Sequence, residues 1–137
     1  MQRPRVAPYL TATPAAGAIA FYVAAFGAKQ KALMPYLDGM RIAHCELEIN
    51  GGTVMIADAF PELGIDKTRP PLPGEAVTAS VSLEFDKGSE VEEVFKRAMQ
   101  LGAKGEVQPG PSLWGTRFAI LRDPFGHRWI LNGPLSG

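Results

Sequence analysis

The sequence predicts an α+β fold made of two successive βαβββ units. Three observations predict it. Each half reads as a strand, a helix and three further strands. Each helix is left through the same tripeptide, Gly27-Ala28-Lys29 and Gly102-Ala103-Lys104, 75 positions apart, and the glycines that end the last turn of each half, Gly52 and Gly126, lie 74 apart. Two independent anchors thus agree within one residue on an internal repeat. Between the halves, residues 60–76 collect Pro61, Pro70, Pro71, Pro73, Gly64 and Gly74, which reads as a linker with no regular element. The plan is one structural domain with a first unit over 1–59, a linker over 60–76 and a second unit over 77–137.

In the first half, residues 6–11 read as a strand. Thr13 or a neighbour caps a helix, with Pro14 in its first turn, where the absent N–H costs nothing. Ile19, Phe21, Tyr22 and Phe26 recur at roughly helical spacing, and Gly27 ends the helix. Residues 31–36 form the second strand and Asp38-Gly39 a hairpin turn. Residues 40–49 are a long third strand, Asn50-Gly51-Gly52 a turn, and 53–57 the fourth strand.

In the second half, residues 77–85 are a strand and Ser89 caps a helix that runs to Leu101. Glu90, Glu92 and Glu93 favour the positive end of its dipole, and Val91, Val94, Phe95, Ala98 and Leu101 form its apolar face. Residues 104–108 are a short strand, broken by Pro109-Gly110-Pro111. Residues 116–122 and 127–132 close the chain as a hairpin around Asp123-Pro124-Phe125-Gly126, in which proline presets φ and glycine supplies a positive one.

Composition narrows the function. Lys+Arg and Asp+Glu both number 14, for a formal net charge of zero, so the basic excess of a broad nucleic-acid surface is missing. The single cysteine, Cys45, permits no intrachain disulfide and no cysteine-based zinc framework. It reads as a buried, inert thiol and fits a cytoplasmic protein. Residues 6–28 carry no charge and follow Arg3 and Arg5, a loose likeness to a secretory leader. Pro8, Pro14, Gly17 and an alanine-dominated apolar set argue against a leader, and against a membrane span, which needs about 20 strongly apolar residues.

Several stretches, set on paired βαβββ units, resemble the vicinal oxygen chelate (VOC) superfamily of glyoxalase I, extradiol dioxygenases and bleomycin-resistance proteins. They are Pro8-Tyr9-Leu10, Ala25-Phe26-Gly27-Ala28, His44-x-Glu46-Leu47, Trp114-Gly115-x-Arg117 and the hairpin from Asp123 to Trp129. The PhnB-like proteins are the nearest subgroup in look, and the likeness covers residues 6–132. It implies curved mixed sheets around a cavity between the units, a homodimer, and, in metal-dependent members, one ligand on the first and last strand of each unit. Matching the family's turn and strand motifs puts those four positions at Ala7, Ile56, Ser80 and Ile130; the spacing of the helix exits would put the second at Met55 instead. Alanine and isoleucine cannot ligate a metal, and serine is a poor ligand for zinc or nickel. The resemblance therefore implies a member with no metal and no cofactor.

Strand alternation assigns faces. Ala43, Cys45, Leu47 and Ile49 share one face of the long strand, while Ile42, His44, Glu46 and Glu48 share the other. Trp129 and Leu131 pack toward the helix, while Arg128, Ile130 and Asn132 face the cavity. On the fourth strand of the first half Val54, Ile56 and Asp58 face it, as do Ala7 and Tyr9 on the first strand, and Thr78, Ser80, Ser82 and Glu84 in the second half. Candidate ligand-binding residues are Tyr9, Ile56, Ser80, Trp114, Arg117, Arg128 and Ile130. Arg117 suits an anionic group or a cross-strand salt bridge, and Trp114 a cavity wall, the core or a junction between units. His44 and Glu46, at i and i+2, project to one side roughly 7 Å apart. They are the candidate catalytic pair, as a general base or part of a metal site, or else a structural pair on a sheet face. Asp123 and His127 read as turn-fixing residues.

The leading expectation is a metal-independent protein that binds a small molecule between the units, with no nucleic-acid or membrane partner. The alternative is an enzyme of lyase or dioxygenase type with a relocated metal or acid–base site at His44 and Glu46. A third reading is a protein whose dimer presents an interaction surface.

Overall fold

A computed structural model describes residues 4–64 and 67–137; Arg3 and two residues of the 60–76 stretch lie outside them. The chain divides into two compact units, Met1–Pro70 and Pro71–Gly137, each with a four-stranded mixed sheet and one long helix.

The first unit runs β1 (Tyr9–Thr11), α1 (Ala15–Phe26), β2 (Lys29–Pro35), β3 (Ile42–Ile49) and β4 (Gly52–Ala57). Its sheet has the order β1-β4-β3-β2. β1 lies parallel to β4 and the other pairs are antiparallel. α1 covers one face, where Ile19, Tyr22, Phe26, Cys45, Leu47, Val54 and Ile56 are buried. From His44 onward the alternation along β3 follows from this packing: Cys45, Leu47 and Ile49 are buried, while His44, Glu46 and Glu48 are half-exposed. Ile42, expected beside His44, is buried and Ala43 is half-exposed, because the register with β2 shifts at Pro35.

The register corrects the faces expected for β4. Cys45 pairs with Ile56 and Leu47 with Val54, so Val54 and Ile56 point to the helix side and Met55 to the open side. The turn explains the slip. The left-handed glycine that ends it is Gly51, at φ 81°, whereas Gly52 already belongs to β4. Gly51 and Gly126 (φ 96°) are 75 positions apart, as are Gly27 and Gly102. Both anchors of the repeat therefore have one offset, and Met55 is the counterpart of Ile130.

α1 begins after Pro14 with no side-chain cap from its own start, so Thr13 does not hold it. Asp58 does: its Oδ1 accepts the Ala15 N–H at 3.0 Å and its Oδ2 accepts the Ile42 N–H at 2.7 Å. Asp58 is buried and joins the helix to β3 rather than facing the open side of the sheet. A carboxylate at a helix N-terminus satisfies an orphan donor and complements the dipole.

The second unit runs β5 (Val81–Glu84), α2 (Gly88–Gln100), β6 (Lys104–Pro111), β7 (Thr116–Arg122) and β8 (Arg128–Pro134), in the order β5-β8-β7-β6. β5 is parallel to β8. Val91, Val94, Phe95 and Ala98 of α2 are buried with Leu83, Ala119, Leu121, Trp129 and Leu131 of the sheet. The N-cap of α2 is Lys87, not Ser89: its side chain has no acceptor, and the Glu90 carboxylate reaches back to accept the Lys87 N–H at 3.2 Å. A Cβ at Gly88 would stand 2.3 Å from the Pro134 carbonyl oxygen, so only glycine lets α2 approach the end of β8 this closely.

Several sequence-based boundaries move. β1 and β5 start at Tyr9 and Val81 and are shorter than expected. Pro109-Gly110-Pro111 does not break β6, because it is an edge strand with register shifts there, which is where a sheet tolerates proline. Residues Pro61–Leu63 of the expected linker form one 3-10 turn. Among the described residues no helix is long and apolar enough to cross a membrane.

Candidate functional site

The open face of the first sheet brings together Tyr9 from β1, His44 and Glu46 from β3, and Met55 from β4. Pairing decides this: Tyr9 lies beside Met55 and Met55 beside Glu46. His44 is hydrogen-bonded on both ring nitrogens, to Tyr9 Oη at 2.8 Å through Nδ1 and to Glu46 Oε2 at 3.0 Å through Nε2. The phenol and imidazole rings stand 5.5 Å apart at 40°.

Proton placement follows from what each partner can do. The Glu46 carboxylate only accepts, so Nε2 carries the hydrogen. In the neutral ring Nδ1 is then bare and accepts from the Tyr9 hydroxyl. Burial, with added repulsion from Cys45 and Glu46, raises the Tyr9 pKa above its ordinary 10.0, which keeps the phenol protonated and able to donate. The His44 and Glu46 side chains are 30% and 22% exposed, while Tyr9 is 53% exposed. The row is therefore sheltered at its acidic end and open at its phenol. Lys31 pairs with Glu48 at 4.0 Å nearby, and Met34 of β2 pairs with His44. Cys45 is fully buried beneath this face, and burial followed by the Glu46 charge pushes its thiol pKa up. It is an inert thiol.

The other expected site residues distribute differently. Ile56 is fully buried beneath α1 and lines no open surface, because its register follows Cys45. In the second unit Arg128 donates to Ser80 Oγ at 3.0 Å and pairs with Glu106 at 2.8 Å. Arg122 pairs with the other Glu106 oxygen at 3.1 Å. Ile130 lies between these charges and Asn132 on the open face of β8, half-buried. Arg117 does not form a cross-strand bridge: it pairs with Glu92 of α2, which makes it a helix-to-sheet contact. Trp114 is 65% exposed against Phe118, with ring centroids 5.3 Å apart, and is not part of the core.

In the closing hairpin, Asp123 Oδ1 accepts the Phe125 and His127 N–H groups at 2.8 and 3.1 Å. Its Oδ2 accepts Trp129 Nε1–H at 2.8 Å. This buried carboxylate fixes both the turn and the largest core side chain, and His127 takes part through its backbone. Sequence reasoning missed Glu106, Arg122 and the bond from Tyr9 to His44, all of which depend on strand register. It gave Met55 as the position set by the spacing of the helix exits, and that is the one the register bears out.

With the register corrected, the positions at which metal-dependent members would carry ligands hold Ala7, Met55, Ser80 and Ile130. They offer one hydroxyl and one thioether. Thioethers select soft cuprous ions, and a serine hydroxyl is a weak ligand for divalent metals, so these residues do not fit such a site. Among the described residues no group of three or more His, Cys, Asp or Glu side chains could hold a metal elsewhere.

Known proteins share this architecture. An uncharacterized protein of Mycobacterium bovis is 37% identical over 134 residues, spanning 96% of this chain and 84% of its own length. The crystal structure of protein PA1353 from Pseudomonas aeruginosa matches with a TM-score of 0.74 at 23% identity, covering 96% of this chain and 98% of that one. The fosfomycin resistance protein FosX from Listeria monocytogenes, solved with Mn(II) and sulfate, matches with a TM-score of 0.70 at 16% identity, covering 97% and 93%; both likenesses are of fold. Residues 7–131 match the profile of the Glyoxalase/Bleomycin resistance protein/Dioxygenase superfamily, and the chain belongs to that superfamily.

Proposed function

We propose that this protein binds a small molecule without a metal ion, using the open face of its first sheet around Tyr9, His44 and Glu46. The observation that carries the reading is the donor chemistry at the four strand positions: Ala7, Met55, Ser80 and Ile130 supply no divalent-metal ligand set. Tyr9, His44 and Glu46 form instead one hydrogen-bonded row flanked by Met34 and Met55. A few convergent polar groups beside apolar side chains suit recognition of a small molecule. Elemental analysis of protein purified without chelator tests the reading. Zinc, nickel, manganese and iron far below one per chain are expected, and a stoichiometric metal would overturn it.

A second reading, a metal-free acid–base enzyme, is favoured by one observation: both His44 nitrogens are engaged, which locks the tautomer and leaves a poised base. Loss of activity in His44→Ala, in an assay found by substrate screening, is its expected result. The PhnB-like affinity, suggested by Pro8-Tyr9-Leu10 and the closing hairpin, and a homodimeric cytoplasmic state belong to the same proposal. Light scattering after gel filtration should return twice the chain mass, and a monomer would remove the dimer from it.

A further inference from the structure

We infer that Tyr9 is the catalytic residue that meets the substrate, and that His44 and Glu46 act through it as a proton relay. This deepens the acid–base reading and rests on it. His44 has no nitrogen left for a substrate, since Nε2 is bonded to Glu46 and Nδ1 to Tyr9. Any proton that reaches the imidazole without dismantling the row must pass through the phenol. Tyr9 is also the most exposed of the three, and with its hydrogen committed to His44 its oxygen presents lone pairs outward.

The step balances without a co-reactant. A substrate X–H bond breaks as its proton passes to Tyr9 Oη. The original Tyr9 O–H bond breaks as its proton passes to His44 Nδ1. The electron pair of the X–H bond stays on the substrate, which becomes an anion, and the imidazolium is held by the Glu46 carboxylate. The phenol ends as it began, so a free phenolate is never formed, which accords with the raised pKa of this hydroxyl.

The strength of the base sets the substrate class. A neutral imidazole removes only moderately acidic protons at useful rates. The reacting group is therefore an acidic hydroxyl or a carbon-bound hydrogen next to a carbonyl. The groups facing the relay are Ala32, Met34, Met55 and the Glu48–Lys31 pair, so the rest of the molecule is at least partly apolar.

Two measurements on the full chain test this. The chain has two histidines, so long-range proton–nitrogen NMR spectra are assigned with a single His44→Ala variant. The relay requires an imidazole protonated on Nε2 and bare on Nδ1, with an Nδ1 shift that moves toward that of a free imine nitrogen in Tyr9→Phe. An Nδ1-protonated ring, or an Nδ1 signal unmoved by Tyr9→Phe, overturns the relay. The second measurement follows deuterium exchange from D2O into the hydrogens next to the carbonyl of hydroxyacetone. Wild-type protein should accelerate it by roughly 10²-fold over both Tyr9→Phe and His44→Ala. Equal rates in wild type and variants overturn the acid–base role. A metal found by elemental analysis would sink the metal-free reading while leaving the tautomer result in place, so the two failures are distinguishable.

Discussion

The two units repeat one topology and differ in what they place on the open sheet face. In the first, Met55 is flanked by Tyr9 on β1 and Glu46 on β3, with His44 two residues before Glu46. In the second, its counterpart Ile130 is flanked by Ser82 on β5 and Ile120 on β7, with Phe118 two residues before Ile120. The same three sites thus hold Tyr, His and Glu in one unit and Ser, Phe and Ile in the other. The βαβββ topology forms with either set of residues at these sites, so the topology by itself does not call for the Tyr9–His44–Glu46 row.

The helix starts differ as instructively. α2 is capped within its own sequence by Glu90, whereas α1 is capped by Asp58, 43 positions away. The two buried carboxylates also have different duties. Asp58 ties a helix to a strand, and Asp123 ties a turn to a tryptophan.

The largest expected effect separates these carboxylates. Asp123→Ala strips acceptors from two backbone N–H groups and the Trp129 indole, and Asp58→Ala from two backbone N–H groups. At about 1–3 kcal/mol for each donor left buried, urea denaturation should show a loss of roughly 4 kcal/mol for Asp123→Ala and about 3 kcal/mol for Asp58→Ala. Losses under about 1 kcal/mol would mean that water replaces the carboxylate.

Exchanging the equivalent residues comes next. Ile120 is 8% exposed, so Ile120→Glu buries a carboxylate among apolar neighbours and should cost about 2 kcal/mol. Glu46→Ile removes a half-exposed carboxylate and should change stability by under about 1 kcal/mol. Equal costs would break the claim that the first face is spared from packing duty. Smaller still, Tyr9→Phe should leave stability within about 0.5 kcal/mol of wild type in the same denaturation series; a larger loss would turn the row into a structural device.

The smallest effect is local. Asp38 accepts the Arg41 and Met40 N–H groups and the Arg41 guanidinium, which together lower its pKa from 3.8 to about 2. A carboxyl depressed in the folded state contributes stability above its unfolded pKa and loses it as pH falls through the folded one. The hairpin between β2 and β3 should therefore loosen between about pH 4 and pH 2, seen as carbon-detected NMR titration of Asp38, and Arg41→Ala should move that titration upward. The second unit has no counterpart of this latch among the hydrogen bonds of its own β6–β7 turn, where Ser112 and Thr116 hydroxyls do the work at 2.8 Å.

How much was legible depends on how local each cause is. Gly27 as the helix stop, alternation along β3 from His44 to Ile49, the Asp123 turn and the shared side of His44 and Glu46 all arise within a few residues and could be read directly. The face of β4 could not, because one misassigned turn glycine inverts a whole strand. Arg117 offered an anion site or a cross-strand bridge, and the choice of Glu92 instead depended on how α2 lies over β7.

By itself, the sequence determined the repeat, the order of elements and the superfamily, since these follow from local periodicity, turn chemistry and residue identity. Only the tertiary structure decided that Asp58 holds α1, that Met55 and not Ile56 is the counterpart of Ile130, and that Tyr9 completes a row with His44 and Glu46. Strand pairing sets all three, and it joins residues 35 positions apart by a register that a single residue of slip would reverse.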